Sequence, residues 1–155
     1  MQTADAVIMA WNFAHYYRVI PTDGRPHALG QDVKLWMGNS RGRWERSTLV
    51  VDVTNLEGKN WLDQVGNFFS NHAHVVERFR LADANTIDYE VTIDDPDVFT
   101  RPWTMRLPLR RARVNRNDPY AGESWENACY EGNSQDTEHV RALGFKWFPG
   151  ITPPK

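Results

Sequence analysis

Hydrophobic and polar residues alternate along most of this chain with a period of two, the pattern of half-buried β-strands. The segment Thr48–Thr54 is rich in β-branched residues and therefore predicts a strand. His74–Leu81 and Thr86–Asp94 alternate in the same way, and the polar loop Ala82–Asn85 between them predicts a β-hairpin. Further strands are predicted at Ala6–Ala10, Tyr16–Ile20, Trp44–Glu45, Trp103–Arg111 and Trp125–Tyr130.

Helical patterns are rare in the chain. The letters NWLDQV between Gly58 and Gly66 predict a single helical turn, and Thr137–Leu143 predicts a short helix. Seven or eight antiparallel strands close into a barrel or pack as a sandwich, because both arrangements protect the strand edges. We therefore predict an all-β fold, a small antiparallel β-barrel with minor helical segments. The length of 155 residues predicts one domain, with the barrel in residues 1–133 and a C-terminal extension in residues 134–155.

The two faces of the predicted strands differ in character. Thr86–Asp94 places its apolar residues on one face and its acidic residues on the other, and Trp103–Arg110 does the same with arginines. We expect these acids and arginines to pair across neighbouring strands. In His74–Leu81 neither face is cleanly apolar, so either Glu77 faces the interior or His74 and Arg78 do.

Composition excludes several classes of protein. Eighteen Lys and Arg against twenty Asp and Glu give a net charge of −2, which argues against a nucleic-acid binder. A single cysteine, Cys129, excludes an internal disulfide and a multi-cysteine metal site. No apolar run is long enough for a membrane helix. The N-terminus lacks a basic region and Asp5 precedes only a short apolar stretch, so we expect no signal peptide there. We expect a cytoplasmic protein, or a periplasmic one if the sequence is trimmed from a longer chain.

Motifs for nucleotide cofactors and for serine hydrolases do not occur in the sequence. We therefore expect no cofactor and an enzyme that works by proton transfer, for which His74 is the best base because imidazole titrates near neutral pH. Tyr130 and Glu131 are predicted to donate a hydrogen bond to the developing negative charge or to position the substrate. The segment Tyr16–Arg18 is the alternative source of such a donor.

The histidines His72 and His74 have the spacing H-x-H, which places both rings on one face of a strand. Two imidazoles bind a metal only with a further ligand, for which Asp94, Asp95 or Glu131 would be available. We predict no metal site.

Seven tryptophans are unusual in a chain of this length. Several of them fall at predicted strand starts and loops, where the mouth of a barrel would lie, and an aromatic-lined pocket suits a small, flat, apolar ligand. Exposed tryptophans also suit stacking on sugars. The residues predicted to shape the pocket are Tyr17, His27, Trp36, Trp44, Arg78 and Trp103.

The ordered motifs TDGRPH, GRWE, TLVVDVTN, HVVERF, YEVTIDDP, TRPWT and ACYEGN lie between Gln2 and Asn133. In these motifs the chain resembles a large bacterial family of small β-rich proteins that is common in acidobacteria and proteobacteria. The resemblance implies a lipocalin-like barrel. Phe69 and Tyr130 stand where that family often has histidine, and many members carry an export signal ahead of Gln2. These substitutions favour an aromatic pocket over a metal centre.

Our leading hypothesis is a cofactor-independent lyase or isomerase that acts on a hydrophobic aromatic molecule. The resemblance suggests lignin-derived compounds as substrates, with a lyase that releases formaldehyde as one example. The alternatives are a non-catalytic carrier of apolar ligands and a carbohydrate-binding module. An exposed strand or aromatic patch would also allow a homodimer.

Overall fold

The computed structural model describes residues 1–11, 16–63, 65–112 and 142–144. The secondary-structure elements assigned in these residues are all strands, which confirms the all-β prediction. The predicted strand Trp125–Tyr130 lies outside the described residues, and so does most of the predicted helix Thr137–Leu143. The strands are β1 (Ala6–Ala10), β2 (Tyr17–Pro21), β3 (Asn39–Glu45), β4 (Thr48–Thr54), β5 (His74–Asp83), β6 (Thr86–Asp94) and β7 (Trp103–Arg110).

These strands form two antiparallel sheets. Strands β3 to β7 make a five-stranded sheet in chain order, and β1 pairs with β2. The hairpin predicted between β5 and β6 is present, but its loop is shorter than expected. A two-residue turn at Ala84–Asn85 replaces the predicted four-residue loop, because a bulge between Leu81 and Asp83 extends β5. Strand β3 begins well before the predicted Trp44.

The segment between β4 and β5 differs from its prediction. Its described residues make isolated bridges, Leu35 with Leu56 and Trp61 with Phe68, and no helical turn is assigned among them. The predicted helical turn is therefore wrong for the described part of NWLDQV. In the described ranges, no helix is long and apolar enough to cross a membrane.

Register places most of the apolar side chains of the large sheet on one face, whereas Val50 and Val76 lie on the other. Val51 on β4 is opposite Glu77 on β5 and Gly42 on β3, and the neighbouring rows hold Val53 with Val75 and Leu49 with Phe79. A Cβ atom on Gly42 would lie 2.9 Å from a methyl group of Ile20, so β2 packs closely over this face. The buried core on this face consists of Ile20, Leu49, Val51, Val53, Leu56, Phe69 and Ala73.

Glu77, and not His74 or Arg78, is the ionisable residue of β5 that faces the core. Its carboxylate accepts a hydrogen bond from Arg18 of β2 at 2.5 Å and one from the Tyr89 hydroxyl at 2.9 Å. Burial raises the pKa of Tyr89, and the neighbouring Glu77 carboxylate raises it further. Arg18 also donates to the Ser40 hydroxyl at 2.8 Å. This network fastens β2 to the large sheet.

The opposite face of the large sheet is polar, and its charged side chains pair across strands as predicted. Arg106 donates to Glu90 at 2.6 Å, and Arg78 donates to Glu45 at 2.7 Å. Arg80 pairs with Asp88 on the same face. Each of these three arginines is therefore neutralised by an acid on another strand of the sheet.

The chain divides into two compact units. The first comprises residues 1–10 and 17–122 and contains both sheets. The second comprises residues 11–16 and 123–155, and its described part includes a backbone hydrogen bond from Trp11 to Tyr16. A single domain over residues 1–155 stays a prediction.

Candidate functional site

A carboxylate in the middle of β4 joins two imidazoles on the polar face. Asp52 Oδ1 lies 2.8 Å from His27 Nε2, and Asp52 Oδ2 lies 2.9 Å from His74 Nε2. A carboxylate can only accept, so each Nε2–H donates to it. The arrangement is a His–Asp–His chain that links the loop before β3 to strands β4 and β5.

The two imidazoles are held differently. His27 Nδ1 lies 3.0 Å from Asn39 Oδ1 and 3.2 Å from Thr54 Oγ1, so both of its ring nitrogens have partners. His74 Nδ1 makes no hydrogen bond with the residues that the structure describes. The side chain of His74 is 45% exposed, against 25% for His27. Among the described residues, His27 is thus fixed through both ring nitrogens, whereas His74 is fixed through Nε2 alone.

The electrostatics of Asp52 favour its ionised form. Burial by itself raises the pKa of Asp52, but the hydrogen bonds and charges of His74 and His27 outweigh burial and bring the pKa below its usual value. An ionised Asp52 keeps the proton of His74 on Nε2, and Nδ1 then carries the lone pair that a base needs.

A cleft of about 400 Å³ opens beside His74 on this face. Lys34 crosses one side of the cleft and donates from Nζ to the backbone oxygen of Asn71 at 2.6 Å. His72 also lines the cleft, and its Nδ1 lies 2.5 Å from Asp97 Oδ2. The lining residues are His27, Leu29, Gln31, Lys34, Thr54, Asn55, Asn71, His72, Ala73 and His74.

One residue at the end of β4 shapes the loop that carries Lys34. Asn55 has a left-handed backbone (φ 58°), a conformation that asparagine tolerates better than most residues. Its side-chain amide donates to the backbone oxygens of Gly30 and Val33, both at 2.9 Å. Asn55 therefore holds the 30–34 loop against the end of the strand that bears Asp52.

A buried carboxylate holds the opposite wall. Asp95 is 1% exposed and accepts hydrogen bonds from the Ser70 backbone nitrogen at 2.5 Å and the Ser70 hydroxyl at 2.8 Å. The Ser70 hydroxyl in turn accepts from the His72 backbone nitrogen at 3.0 Å. These bonds fix the approach to β5, and with it His72 and His74.

No protein-family model, curated protein or solved structure matches this chain. The site is therefore interpreted from its own geometry.

The predicted site residues do not all come together. His27 and His74 both hydrogen-bond to Asp52 through Nε2. Arg78 lies on the same polar face but pairs with Glu45 at 2.7 Å and does not line the cleft. Tyr130 and Glu131 lie outside the described residues.

The predicted aromatic residues lie elsewhere in the described structure. Trp44 borders a small cavity of about 210 Å³ on the apolar face, and Trp103 packs edge-on against Phe99 with ring centroids 5.6 Å apart. Tyr17 and Trp36 are 71% and 60% exposed. Histidine supplies the only aromatic rings on the cleft wall within the described residues.

Sequence reasoning missed Asp52, Asn39 and Lys34. Asp52 did leave a signal, since Asp is disfavoured in strands and this one interrupts the apolar run TLVVDVT. Asn39 and Lys34 left none, because they reach the site through the path of the loop and not through strand alternation.

The H-x-H pair does not converge on one point. His72 turns its Nδ1 to Asp97, whereas His74 turns its Nε2 to Asp52. Asp95, one of the additional ligands considered, uses its carboxylate on Ser70. Within the described ranges, no group of three or more His, Cys, Asp or Glu side chains is arranged to hold a metal ion.

Proposed function

We propose that this protein is an enzyme that catalyses proton transfer on a small molecule bound in the cleft beside His74. The observation that carries the proposal is the pair of contacts on Asp52, to His74 at 2.9 Å and to His27 at 2.8 Å. A carboxylate that orients an imidazole and sets its tautomer is the arrangement that general-base catalysis requires.

In the proposed reaction, His74 Nδ1 takes a proton from a carbon next to a carbonyl or carboxyl group. The electron pair of the broken C–H bond moves onto that group. Return of the proton at another carbon makes the enzyme an isomerase, and loss of a neighbouring leaving group makes it a lyase. Asp52 stabilises the imidazolium that forms, and His27 holds Asp52 in position.

The cleft supports the acid–base part of the sequence-based hypothesis more strongly than its aromatic part. Lys34, Gln31, Asn55, Asn71 and Thr54 give the wall a polar character, and Leu29 and Ala73 are its apolar members. We therefore propose a substrate with polar groups, which need not be aromatic.

Deuterium exchange tests the reaction without knowledge of the natural substrate. The protein is incubated in D2O with pyruvate, levulinate, methyl levulinate and acetophenone, and deuterium uptake at carbon is followed by NMR. We expect uptake into at least one probe, loss of most of this uptake in His74→Gln, and a fall of about a hundredfold in Asp52→Asn, since general-base catalysis contributes about 10²–10⁴ in rate.

Glu90→Gln is the matched control. Glu90 lies on the same face and pairs with Arg106 at 2.6 Å, away from the cleft. This variant should exchange at the wild-type rate. Exchange that survives unchanged in His74→Gln would overturn the proposal.

We further propose that the large sheet belongs to a closed, lipocalin-like barrel. Five strands paired in chain order, with an apolar face covered by β2, support this interpretation. Amide hydrogen exchange tests the proposal: amides of β7 that do not bond to β6 should be protected in a barrel and should exchange rapidly at an edge.

A carrier of apolar ligands is the second candidate function. It is favoured by the cavity of about 210 Å³ on the apolar face, which Val7, Met9, Trp44, Phe79 and Ile87 line among others. Fluorescence titration of the tryptophans with a medium-chain alcohol tests it. Saturable quenching that Trp44→Ala and Phe79→Ala both abolish, without any proton exchange at the cleft, would favour the carrier over the enzyme.

A further inference from the structure

We infer that the cleft beside His74 binds a small organic carboxylate, and that Lys34 holds its carboxylate group. This inference rests on the proposed function, because it names the substrate class of the same site. The observation behind it is the juxtaposition of the Lys34 ammonium with the segment 71–74, which carries His72 and His74.

The ammonium of Lys34 lies on the wall at a defined position. Its Nζ donates to the Asn71 backbone oxygen at 2.6 Å, and this bond uses one of the three N–H donors of Lys34. Lys34 is half-buried, and the ion pairs formed by the described residues do not include it. The two remaining donors are available to an anion in the cleft.

Among the residues that the structure describes, the rest of the wall contains no carboxylate that would repel an anion. The other titratable side chains that line it are the three imidazoles His27, His72 and His74. The carboxylates that these imidazoles contact do not line the cleft: Asp52 accepts from His27 and His74, and Asp97 accepts from His72. The amide side chains of Gln31 and Asn71 add further polar groups.

A carboxylate fits this wall better than a phosphate. One ammonium matches the single charge of a carboxylate, whereas phosphate sites usually gather several cations or backbone N–H groups. Lys34, His72 and His74 line the same cleft, and Lys34 bonds to Asn71, three residues before His74. An anion held by Lys34 would therefore have its neighbouring carbon within the cleft that the imidazoles line. That carbon is the one that the proposed reaction deprotonates.

The test compares matched charged and neutral probes by NMR of the histidine rings. Propionate and phenylacetate are titrated against propionamide and phenylacetamide, and inorganic phosphate is a separate arm. We expect both carboxylates to shift the His72 and His74 ring signals in a saturable way. The amides and phosphate should bind at least about tenfold more weakly, because a charge-assisted hydrogen bond is worth roughly that factor.

Substitutions locate the anion. Lys34→Met should weaken carboxylate binding about tenfold or more, and Lys34→Arg should retain most of it, which separates the charge from the contact with Asn71. Lys59→Met is the control, since Lys59 pairs with Glu57 and does not line the cleft. Equal binding of acids and amides, unchanged binding in Lys34→Met, tighter binding of phosphate, or no binding of any probe would each overturn the inference.

The outcomes also separate this inference from the proposed function. Carboxylates that bind at Lys34 without any proton exchange would support the carboxylate site and contradict the proposed enzymatic activity. Exchange on neutral probes alone, dependent on His74 but not on Lys34, would leave the enzyme standing and overturn the carboxylate.

Discussion

Arg18 of β2 and Glu77 of β5 form an ion pair at 2.5 Å inside the protein, with side chains only 10% and 9% exposed. The pair connects the small sheet to the large one across an otherwise apolar interface. Glu77 also accepts from the Tyr89 hydroxyl, so both of its oxygens are used. A buried charge is tolerated only with partners of this kind.

Replacement of one member of this pair should therefore be costly. We expect Glu77→Gln to lower the free energy of unfolding by about 3 kcal/mol, because it leaves the guanidinium of Arg18 buried without a counter-charge. Urea denaturation measures the change. The double variant Arg18→Met, Glu77→Gln should recover part of the loss. An additive result, with the double variant less stable than either single variant, would contradict this account.

The carboxylate of Asp52 should make stability depend on acid pH. Its pKa in the folded protein lies below the unfolded value of about 3.9, so its contribution is complete above that value and is lost as the pH falls through the folded pKa. Unfolding free energies of wild type and Asp52→Asn should therefore differ most above the unfolded pKa and converge as the pH falls below the folded pKa. A difference that stays constant down to acid pH would contradict the lowered pKa.

The strands were predictable because their signal is local. Alternation in Thr86–Asp94 predicts one apolar and one acidic face without any knowledge of the neighbouring strands. In the structure, this strand has the predicted bounds. The orientation of β5 was not predictable in the same way, because both of its faces carry ionisable residues, Glu77 on one and His74 and Arg78 on the other. Arg18, which lies 59 residues earlier in the chain, supplies the charge that decides it.

The site was predictable only in part for a similar reason. His74 stands out because imidazole chemistry is recognisable in any context, and His27 was chosen with it. Their meeting point, Asp52, depends on the register of β4 with β5 and on the course of the loop before β3. Tryptophan positions at predicted strand starts did not reveal which sheet face each ring occupies, and Trp44 lies on the face opposite His74.

The turn between β3 and β4 contains a strained residue. Arg46 has a backbone φ of 56°, in the left-handed region that a side chain with Cβ disfavours. We expect Arg46→Gly to raise the free energy of unfolding by about 1 kcal/mol. Ser47→Gly in the same turn is the control, because Ser47 has no positive φ and glycine there should only add flexibility to the unfolded chain. Equal effects of the two substitutions would refute strain at Arg46.

The loop that carries Lys34 should depend on Asn55. Asn55→Gly removes both hydrogen bonds to Gly30 and Val33 and still tolerates the left-handed backbone, and we expect a loss of about 1–2 kcal/mol with faster amide exchange in residues 30–35. Asn60→Ala, which removes one bond to the Trp36 backbone oxygen, is the comparison. If exchange in residues 30–35 rises equally in both variants, Asn55 has no special part in holding this loop.

Substitutions of His27 and His74 should have different effects, although both residues contact Asp52: the first should lower stability, and the second should abolish activity. His27 has partners at both ring nitrogens, so His27→Gln should lower the free energy of unfolding by about 1–2 kcal/mol. His74 is nearly half exposed, so His74→Gln should lower the free energy of unfolding by less than about 1 kcal/mol and yet abolish proton exchange at the cleft.

The nitrogen NMR shifts of the His74 ring test the role of Asp52 independently of stability and exchange. They should report the tautomer protonated at Nε2 in wild type and in Glu90→Gln, and a mixture of tautomers in Asp52→Asn, which can no longer fix that proton. If the His74 ring shows the same tautomer in Asp52→Asn as in wild type, Asp52 does not orient it, and the contact on which the proposed base depends is only structural.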